Sequence, residues 1–172
     1  MNFKKFTMIA FALCVTLAAS VAAYAQGNGN GVVAPKPGTL TVAPDIEVKI
    51  EMFEDQACTK VIPNGANLSF SGGAPAAYVH FTMRNKVNGV KAENFTYKRV
   101  IERDGVKVVD PPAEKITLNG GETKTFPVER VYFSGTSNTV EARILADIGN
   151  FVKELSETNN SAKYTVKASV VH

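Results

Sequence analysis

Six carboxylate or amide side chains are concentrated in one stretch of the chain, residues 147–160, which reads DIGNFVKELSETNN. The six are, in order, Asp147, Asn150, Glu154, Glu157, Asn159 and Asn160. Carboxylate and amide oxygens are the ligands that calcium prefers, and calcium takes six to eight of them in irregular geometry. The first five residues are therefore candidate calcium ligands. Their spacing differs from that of an EF-hand loop, which has oxygens at alternate positions and a central glycine.

The same stretch has a structural interpretation. Short Asp, Asn and Ser side chains bond to nearby backbone groups and fix turns. Runs in which apolar and polar residues alternate lie on both sides, at 140–146 and 164–170, and this period of two is typical of half-buried strands. The sequence thus predicts a strand, a structured polar connection and a second strand. Turn fixation and calcium binding both remain open.

The stretch also resembles a known family motif. The CARDB domain, the cell-adhesion-related domain found in bacteria, closes on a pattern of roughly D-x-x-N-x-V-x-E-x-x-E-x-N-N between its last two strands. The matching residues are Asp147, Asn150, Val152, Glu154, Glu157, Asn159 and Asn160. Ser156 stands where the family often has Asn or Asp. The Pro44-Asp45 opening and the step from Leu118 to Gly121-Glu122 resemble the same family.

The resemblance implies an immunoglobulin-like antiparallel β-sandwich that serves adhesion or protein contacts in a secreted or envelope-associated setting. The strand pattern agrees with this, because short alternating runs separated by turn signals are typical of a sandwich. About seven strands are expected, mainly at 45–53, 77–85, 94–109, 115–118, 123–133, 140–146 and 162–171. Asp104-Gly105 predicts a tight hairpin turn within the third run. Pro127 predicts an edge position or a bulge in the fifth.

The chain has 172 residues, of which 45% are hydrophobic and 20% charged, as expected for one globular domain at 45–172. Residues 1–25 have the features of a signal peptide: Lys4 and Lys5, an apolar run, and the small-x-small site Ala23-Tyr24-Ala25. Residues 26–44 are rich in Gly, Asn and Pro and predict a flexible linker. We therefore expect an exported protein, at the cell surface, outside the cell or in the periplasm.

Charge and cysteine content limit the classes of partner and the disulfide bonds that are expected. The formal net charge is +3, and the charges are interspersed, so a nucleic-acid partner is not expected. Membrane contact is expected only through an uncleaved signal segment. Beyond the signal peptide only Cys58 remains, which excludes an internal disulfide and favours a small, partly buried apolar role; a disulfide to another chain is the alternative. Residues 54–77 are longer than the family resemblance implies, which indicates either a tolerated insertion or a binding loop.

Catalysis is not expected. The imidazole bases available are His80 and His172, and neither lies in a recognisable catalytic motif. No catalytic residue and no cofactor other than calcium is predicted. Tyr78, Tyr97, Tyr132 and Tyr164 offer amphipathic surface for binding, and exposed strand edges invite strand addition. The favoured function is a module that binds a protein or the cell surface, and the alternative is a carbohydrate-binding accessory module stabilised by calcium.

Overall fold

The computed structural model describes residues 42–71, 75–133 and 137–171. These residues form eleven strands and no helix. In chain order the strands are β1 (Ile46–Phe53), β2 (Val61–Ile62), β3 (Asn67–Ser71), β4 (Ala76–Asn85), β5 (Ala92–Arg103), β6 (Val106–Val109), β7 (Glu114–Leu118), β8 (Thr123–Thr125), β9 (Glu129–Tyr132), β10 (Ser137–Leu145) and β11 (Ser161–Val171). Within these ranges no helix is long and apolar enough to cross a membrane.

The strands form two sheets. In the first sheet β1 lies between β2 and β4, and both β8 and β9 pair with the far side of β4. In the second sheet the order is β3-β11-β10-β5, and both β6 and β7 pair with the far side of β5. All pairs are antiparallel except β3 with β11, which is parallel. The predicted all-β sandwich is therefore confirmed, with one parallel pair at the edge of the second sheet.

Apolar side chains from both sheets meet between them. Alternate residues of each strand face inward, because successive side chains point to opposite faces. On β1 and β4 the largest fully buried side chains are Ile46, Met52, Val79, Phe81 and Met83, and on β5, β10 and β11 they are Phe95, Ile101, Ile144, Val140 and Val166. Each such side chain contributes about 1.5–3 kcal/mol to folding. This core holds the two sheets together, and the polar connection at residues 146–160 joins β10 and β11 of the second sheet.

The strand count differs from the predicted seven or so for local reasons. The segment 54–77 contains the two short strands β2 and β3, so part of it is built into the sheets. The predicted strand 123–133 is divided into β8 and β9, with Pro127 between them. Both parts pair with β4 at the sheet edge, as proline lacks the N–H that a central strand requires. The Asp104-Gly105 hairpin is confirmed, with φ of 52° and 78°.

A buried amide positions the start of β1. Asn85, fully buried at the end of β4, accepts a hydrogen bond from the Asp45 N–H at 3.3 Å through its Oδ1. Its Nδ2 donates to the carbonyl oxygen of Val90 at 2.7 Å. Gly120 packs against the same turn so closely that a Cβ there would lie 2.2 Å from the backbone nitrogen of Gly89. These contacts hold Asp45 at a position where its carboxylate bonds to Asn159 of the polar connection.

The signal-peptide prediction falls on residues 1–25 and most of the linker prediction on 26–41, which lie outside the described residues.

Candidate functional site

The connection between β10 and β11, residues 146–160, is held by side chains of the predicted motif. The Asp147 carboxylate accepts hydrogen bonds from the N–H groups of Phe151 at 3.1 Å and Val152 at 2.9 Å. Its carbonyl oxygen accepts a bond from the Asn150 N–H at 2.9 Å. Asp147 and Asn150 both have positive φ, 45° and 56°, a conformation that Asp and Asn tolerate better than most residues. A bulkier residue at position 147 or 150 would strain the backbone of this turn, whereas Asp147 and Asn150 adopt the positive φ more easily.

Two glutamates continue this network. The Glu154 carboxylate accepts a bond from the Ile46 N–H at 2.5 Å and another from the Asn160 side-chain amide at 3.0 Å. The Glu157 carboxylate accepts bonds from the Glu154 N–H at 3.1 Å and from the Asn160 amide at 3.2 Å. All four oxygens of the two carboxylates are therefore hydrogen-bonded, and Asn160 joins them.

The connection also fastens the two sheets together. The Asn159 side-chain amide donates to the Asp45 carboxylate at 2.7 Å, and the backbone carbonyl oxygen of Asn159 accepts a bond from the Val48 N–H at 3.1 Å. The Leu155 N–H donates to the carbonyl oxygen of Pro44 at 3.0 Å. Since β1 belongs to the first sheet and the connection joins two strands of the second, these bonds bridge the sandwich at one end.

Three carboxylates converge within the connection. Oxygens of Asp147, Glu154 and Glu157 all lie within 4.8 Å of one another; Asp147 and Glu154 are buried and Glu157 is exposed. Burial raises the pKa of Glu154 to about 7, helped by the negative charges of Glu157 and Asp147 and opposed by the hydrogen bonds from Ile46 and Asn160. Near neutral pH the cluster is therefore able to take up a proton or a cation to relieve its repulsion.

The five predicted calcium ligands are only partly brought together. Asp147, Glu154 and Glu157 form the carboxylate cluster. Asn150 lines a cavity of about 340 Å³ together with Asp147 and Glu157. The Asn159 amide is directed to Asp45, and its buried Oδ1 has no hydrogen-bond partner among the described residues. Oxygen donors of the required type are thus present, and the calcium site stays a prediction.

Apolar side chains of the same connection, and of Leu145 at the end of β10, are exposed. Phe151 is 78% exposed and Leu155 is 62% exposed, and Ile148 and Leu145 are exposed as well. Leu145 and Ile148 also line the cavity. We call these four residues the apolar rim. The sequence analysis missed it, although three of the four, Ile148, Phe151 and Leu155, stand inside the quoted motif stretch.

The four tyrosines do not share one role. The expectation that Tyr97 offers surface for binding is wrong. Tyr97 is buried and donates to the Glu114 carboxylate at 2.6 Å, and its pKa is raised to about 12, mainly by burial. Tyr164 is partly buried and donates to the carbonyl oxygen of Ile62 at 2.5 Å. Tyr78 and Tyr132 lie on the outer face of the first sheet, where Arg130, which the sequence analysis missed, stacks on both. Its only sequence signal is its place two residues before Tyr132.

His80 and Cys58 are both partly buried. His80 is partly buried on the outer face of β4, opposite Glu51. Cys58 is a free, partly buried cysteine. Burial, with the charges of Asp55 and Glu51, raises the pKa of its thiol, which favours the unreactive protonated form.

Comparisons with known proteins found similarity among solved structures. No family model matches the chain, and no curated protein matches it. Among solved structures, the chain is similar to the crystal structure of the CARDB domain of the PF1109 protein from Pyrococcus furiosus in complex with di-metal ions. That likeness has a TM-score of 0.48 and 20% identity, and it covers 77% of this chain and 94% of that chain. A solution NMR structure of the same Pyrococcus furiosus domain matches with a TM-score of 0.43 and 18% identity, over 76% of this chain and 97% of that one. By structure, this chain is similar to a CARDB domain, the domain type that its 147–160 motif resembles.

Proposed function

We propose that this chain is an exported, non-catalytic domain that binds another protein or a cell surface through the apolar rim. The observation that supports this is the division of roles within the β10–β11 connection. Its acidic side chains and those of Asn159 and Asn160 are hydrogen-bonded within the domain, whereas Phe151 and Leu155 are 78% and 62% exposed. Ile148, Phe151 and Leu155 fall within residues 148–155, and exposed apolar side chains of one segment are able to form a contact surface.

The hydrogen bonds that hold the connection in place also favour binding, because they order the apolar rim before a partner arrives. The backbone of the connection is hydrogen-bonded to Pro44, Val48 and Thr96, and the Glu154 side chain accepts a bond from the Ile46 N–H. A surface ordered before binding loses little conformational entropy when its partner arrives. Exposed apolar groups on such a support are therefore suited to specific contact.

The direct test is a binding assay with the exported chain, produced from the full sequence with a C-terminal tag. Immobilised chain is incubated with intact cells, with purified envelope protein and with purified polysaccharide. The double variant Phe151→Ser, Leu155→Ser is expected to lose at least tenfold in affinity for the protein partner. Val106→Ser is the matched control, because Val106 is 67% exposed in the β5–β6 hairpin at the other end of β10.

A different outcome would redirect the proposal. Equal binding by the wild type and the double variant would remove the rim from the contact. Binding to polysaccharide with no protein partner would instead favour the second candidate.

That second candidate is a carbohydrate-binding accessory module stabilised by calcium. It is supported by the carboxylate cluster of Asp147, Glu154 and Glu157 beside a cavity that Asn150 also lines. A cation held by these carboxylates would order the cavity wall, and polar groups there suit sugar hydroxyls. Retention on polysaccharide that a chelator abolishes would support this candidate.

Export is supported by the basic, apolar and small-x-small features of residues 1–25. Cell fractionation and N-terminal sequencing test it. A mature N-terminus near Gln26 in the extracellular, cell-surface or periplasmic fraction is expected. An intact N-terminus in the membrane fraction would favour an uncleaved anchor.

A further inference from the structure

The outer face of the first sheet carries a stacked arginine. Arg130 on β9 pairs directly with Tyr78 on β4 and is exposed. Its guanidinium carbon lies 5.5 Å from the centre of the Tyr78 ring and 4.4 Å from the centre of the Tyr132 ring. Tyr132 is itself 45% exposed. Contact with two rings restricts the movement of the guanidinium, and because Arg130 is exposed its N–H groups are accessible to a partner.

The charge of Arg130 is not balanced by any residue that the structure describes. On the same face Lys49 pairs with Glu51 at 2.7 Å, and at the adjacent sheet edge Arg99 lies 3.6 Å from Glu129. No carboxylate in 42–71, 75–133 or 137–171 pairs with Arg130. A preoriented, unpaired guanidinium fork is suited to a carboxylate, which it binds with two parallel hydrogen bonds.

The backbone of β9 is open on the side away from β4. The Phe133 N–H donates to the carbonyl oxygen of Pro75 at 2.8 Å, so this pair is a hydrogen-bonded one. In an antiparallel ladder such pairs alternate with pairs that are not hydrogen-bonded. By the observed register, Ala76↔Tyr132 and Tyr78↔Arg130 are therefore the pairs that are not, and the backbone groups of Arg130 and Tyr132 point outward.

One of these outward groups is already in use. The Tyr132 carbonyl oxygen accepts a bond from the Arg103 guanidinium at 2.9 Å. The N–H and carbonyl of Arg130 and the N–H of Tyr132 remain, and β9 has no second partner strand among the described residues. The open backbone groups and the unpaired cation thus belong to the same two residues.

We propose that β9 is a strand-addition site for an extended, acidic segment of a partner protein. The segment pairs with the open backbone groups of Arg130 and Tyr132, and one of its carboxylates binds the Arg130 guanidinium. Main-chain pairing supplies affinity and the alternate side chain supplies specificity. A sugar is disfavoured here, because the guanidinium occupies the ring faces of Tyr78 and Tyr132 that a sugar would use.

This site is separate from the apolar rim. Tyr78 lies seven residues from Asn85 along β4, about 23 Å at the rise of an extended strand, and Asn85 pairs with Ile46 at the connection. Loss of rim binding and loss of β9 binding are therefore distinguishable by variants at each place.

The test uses the full exported chain labelled with ¹⁵N and a synthetic eight-residue peptide in which valine and glutamate alternate. NMR is expected to record shifts of the Arg130 and Tyr132 amides and their slowed hydrogen exchange. A matched peptide with glutamine in place of glutamate is expected to bind at least tenfold more weakly. This comparison leaves the protein unchanged, so it does not depend on the folding of a variant.

Protein variants complete the test. Arg130→Gln is expected to lose the preference for the acidic peptide, and Arg130→Lys to keep part of it. Arg84→Gln is the control, because Arg84 is exposed on the same face at the other end of β4. Equal affinity for both peptides, shifts confined to other strands, or binding of polygalacturonate at these amides without binding of the peptide would overturn the proposal.

Discussion

The Glu154 carboxylate accepts a hydrogen bond at 2.5 Å from the backbone N–H of Ile46, a residue 108 positions earlier in the chain. The bond joins the connection of the last two strands to the first strand of the opposite sheet. Ile46 is fully buried and Glu154 nearly so, and the rest of the connection is arranged around this contact. The motif that suggests a cation site is thus also a fastening between the sheets.

Removal of the Glu154 side chain is expected to destabilise the fold. Glu154→Ala leaves the buried Ile46 N–H without its acceptor, which costs about 1–3 kcal/mol in the free energy of unfolding. Urea denaturation followed by circular dichroism measures the change. Glu93→Ala, at an exposed position on β5, is the matched control and is expected to change stability by less than about 0.5 kcal/mol. Equal stability of the two variants would contradict the fastening role.

Stability is expected to fall as pH rises through the titration of Glu154. Its pKa is about 7 in the folded chain against 4.5 for the unperturbed group, so the folded state binds the proton more tightly. This contribution is full below about pH 4.5 and is lost as pH rises through about 7, an effect of about 3 kcal/mol. Chelator-treated wild type is compared with Glu154→Gln, whose stability is expected to vary less between pH 5 and 8. Parallel pH profiles would assign the titration to another group.

Calcium is expected to raise the melting temperature if the carboxylate cluster holds it. At saturating calcium and pH 8 a rise of about 4 °C or more is expected, because ligand binding to the folded state alone stabilises it. The rise is expected to be smaller at pH 5, where protonated Glu154 competes with the cation. Glu157→Gln is expected to abolish the rise, whereas Glu93→Gln keeps it. A melting temperature unaffected by calcium would remove the calcium site and leave turn fixation.

The contact between two turns is expected to be intolerant of a methyl group. Gly120→Ala places a Cβ 2.2 Å from the Gly89 nitrogen and 2.7 Å from the Val87 carbonyl oxygen, both backbone atoms. The variant is expected to lose about 1–3 kcal/mol or more. Gly65→Ala is the comparison, since its Cβ would meet nothing within 4 Å and only its φ of 80° is unfavourable. A smaller loss at Gly120 than at Gly65 would contradict the close approach.

Much of the sandwich follows from local patterns. The alternation in β1, β4, β10 and β11 predicts half-buried strands, and Asp104-Gly105 predicts its hairpin, because both signals depend only on neighbouring residues. The parallel pairing of β3 with β11 is not predictable in this way, since the two strands are about a hundred residues apart. The hydrogen bond between Glu154 and Ile46 is not predictable either, because the two residues are 108 positions apart in the sequence.

The sequence predicts which residues of 147–160 belong to the candidate site, but it does not predict their contacts in space. Asp147 and Asn150 take the positive φ typical of their residue types. Burial of Glu154 and the turn of Asn159 toward Asp45 depend on the first sheet, so the sequence of the connection alone does not specify them. Arg130 was missed because its stacking on Tyr78 requires the pairing of β4 with β9.

The most direct test of the proposed function is the affinity of the chain for purified envelope protein, compared between the wild type and Phe151→Ser, Leu155→Ser. We predict that the wild type binds and that the double variant binds at least tenfold more weakly, while Val106→Ser binds like the wild type. Undiminished binding by the double variant, with its fold verified by circular dichroism, would contradict a contact through the apolar rim.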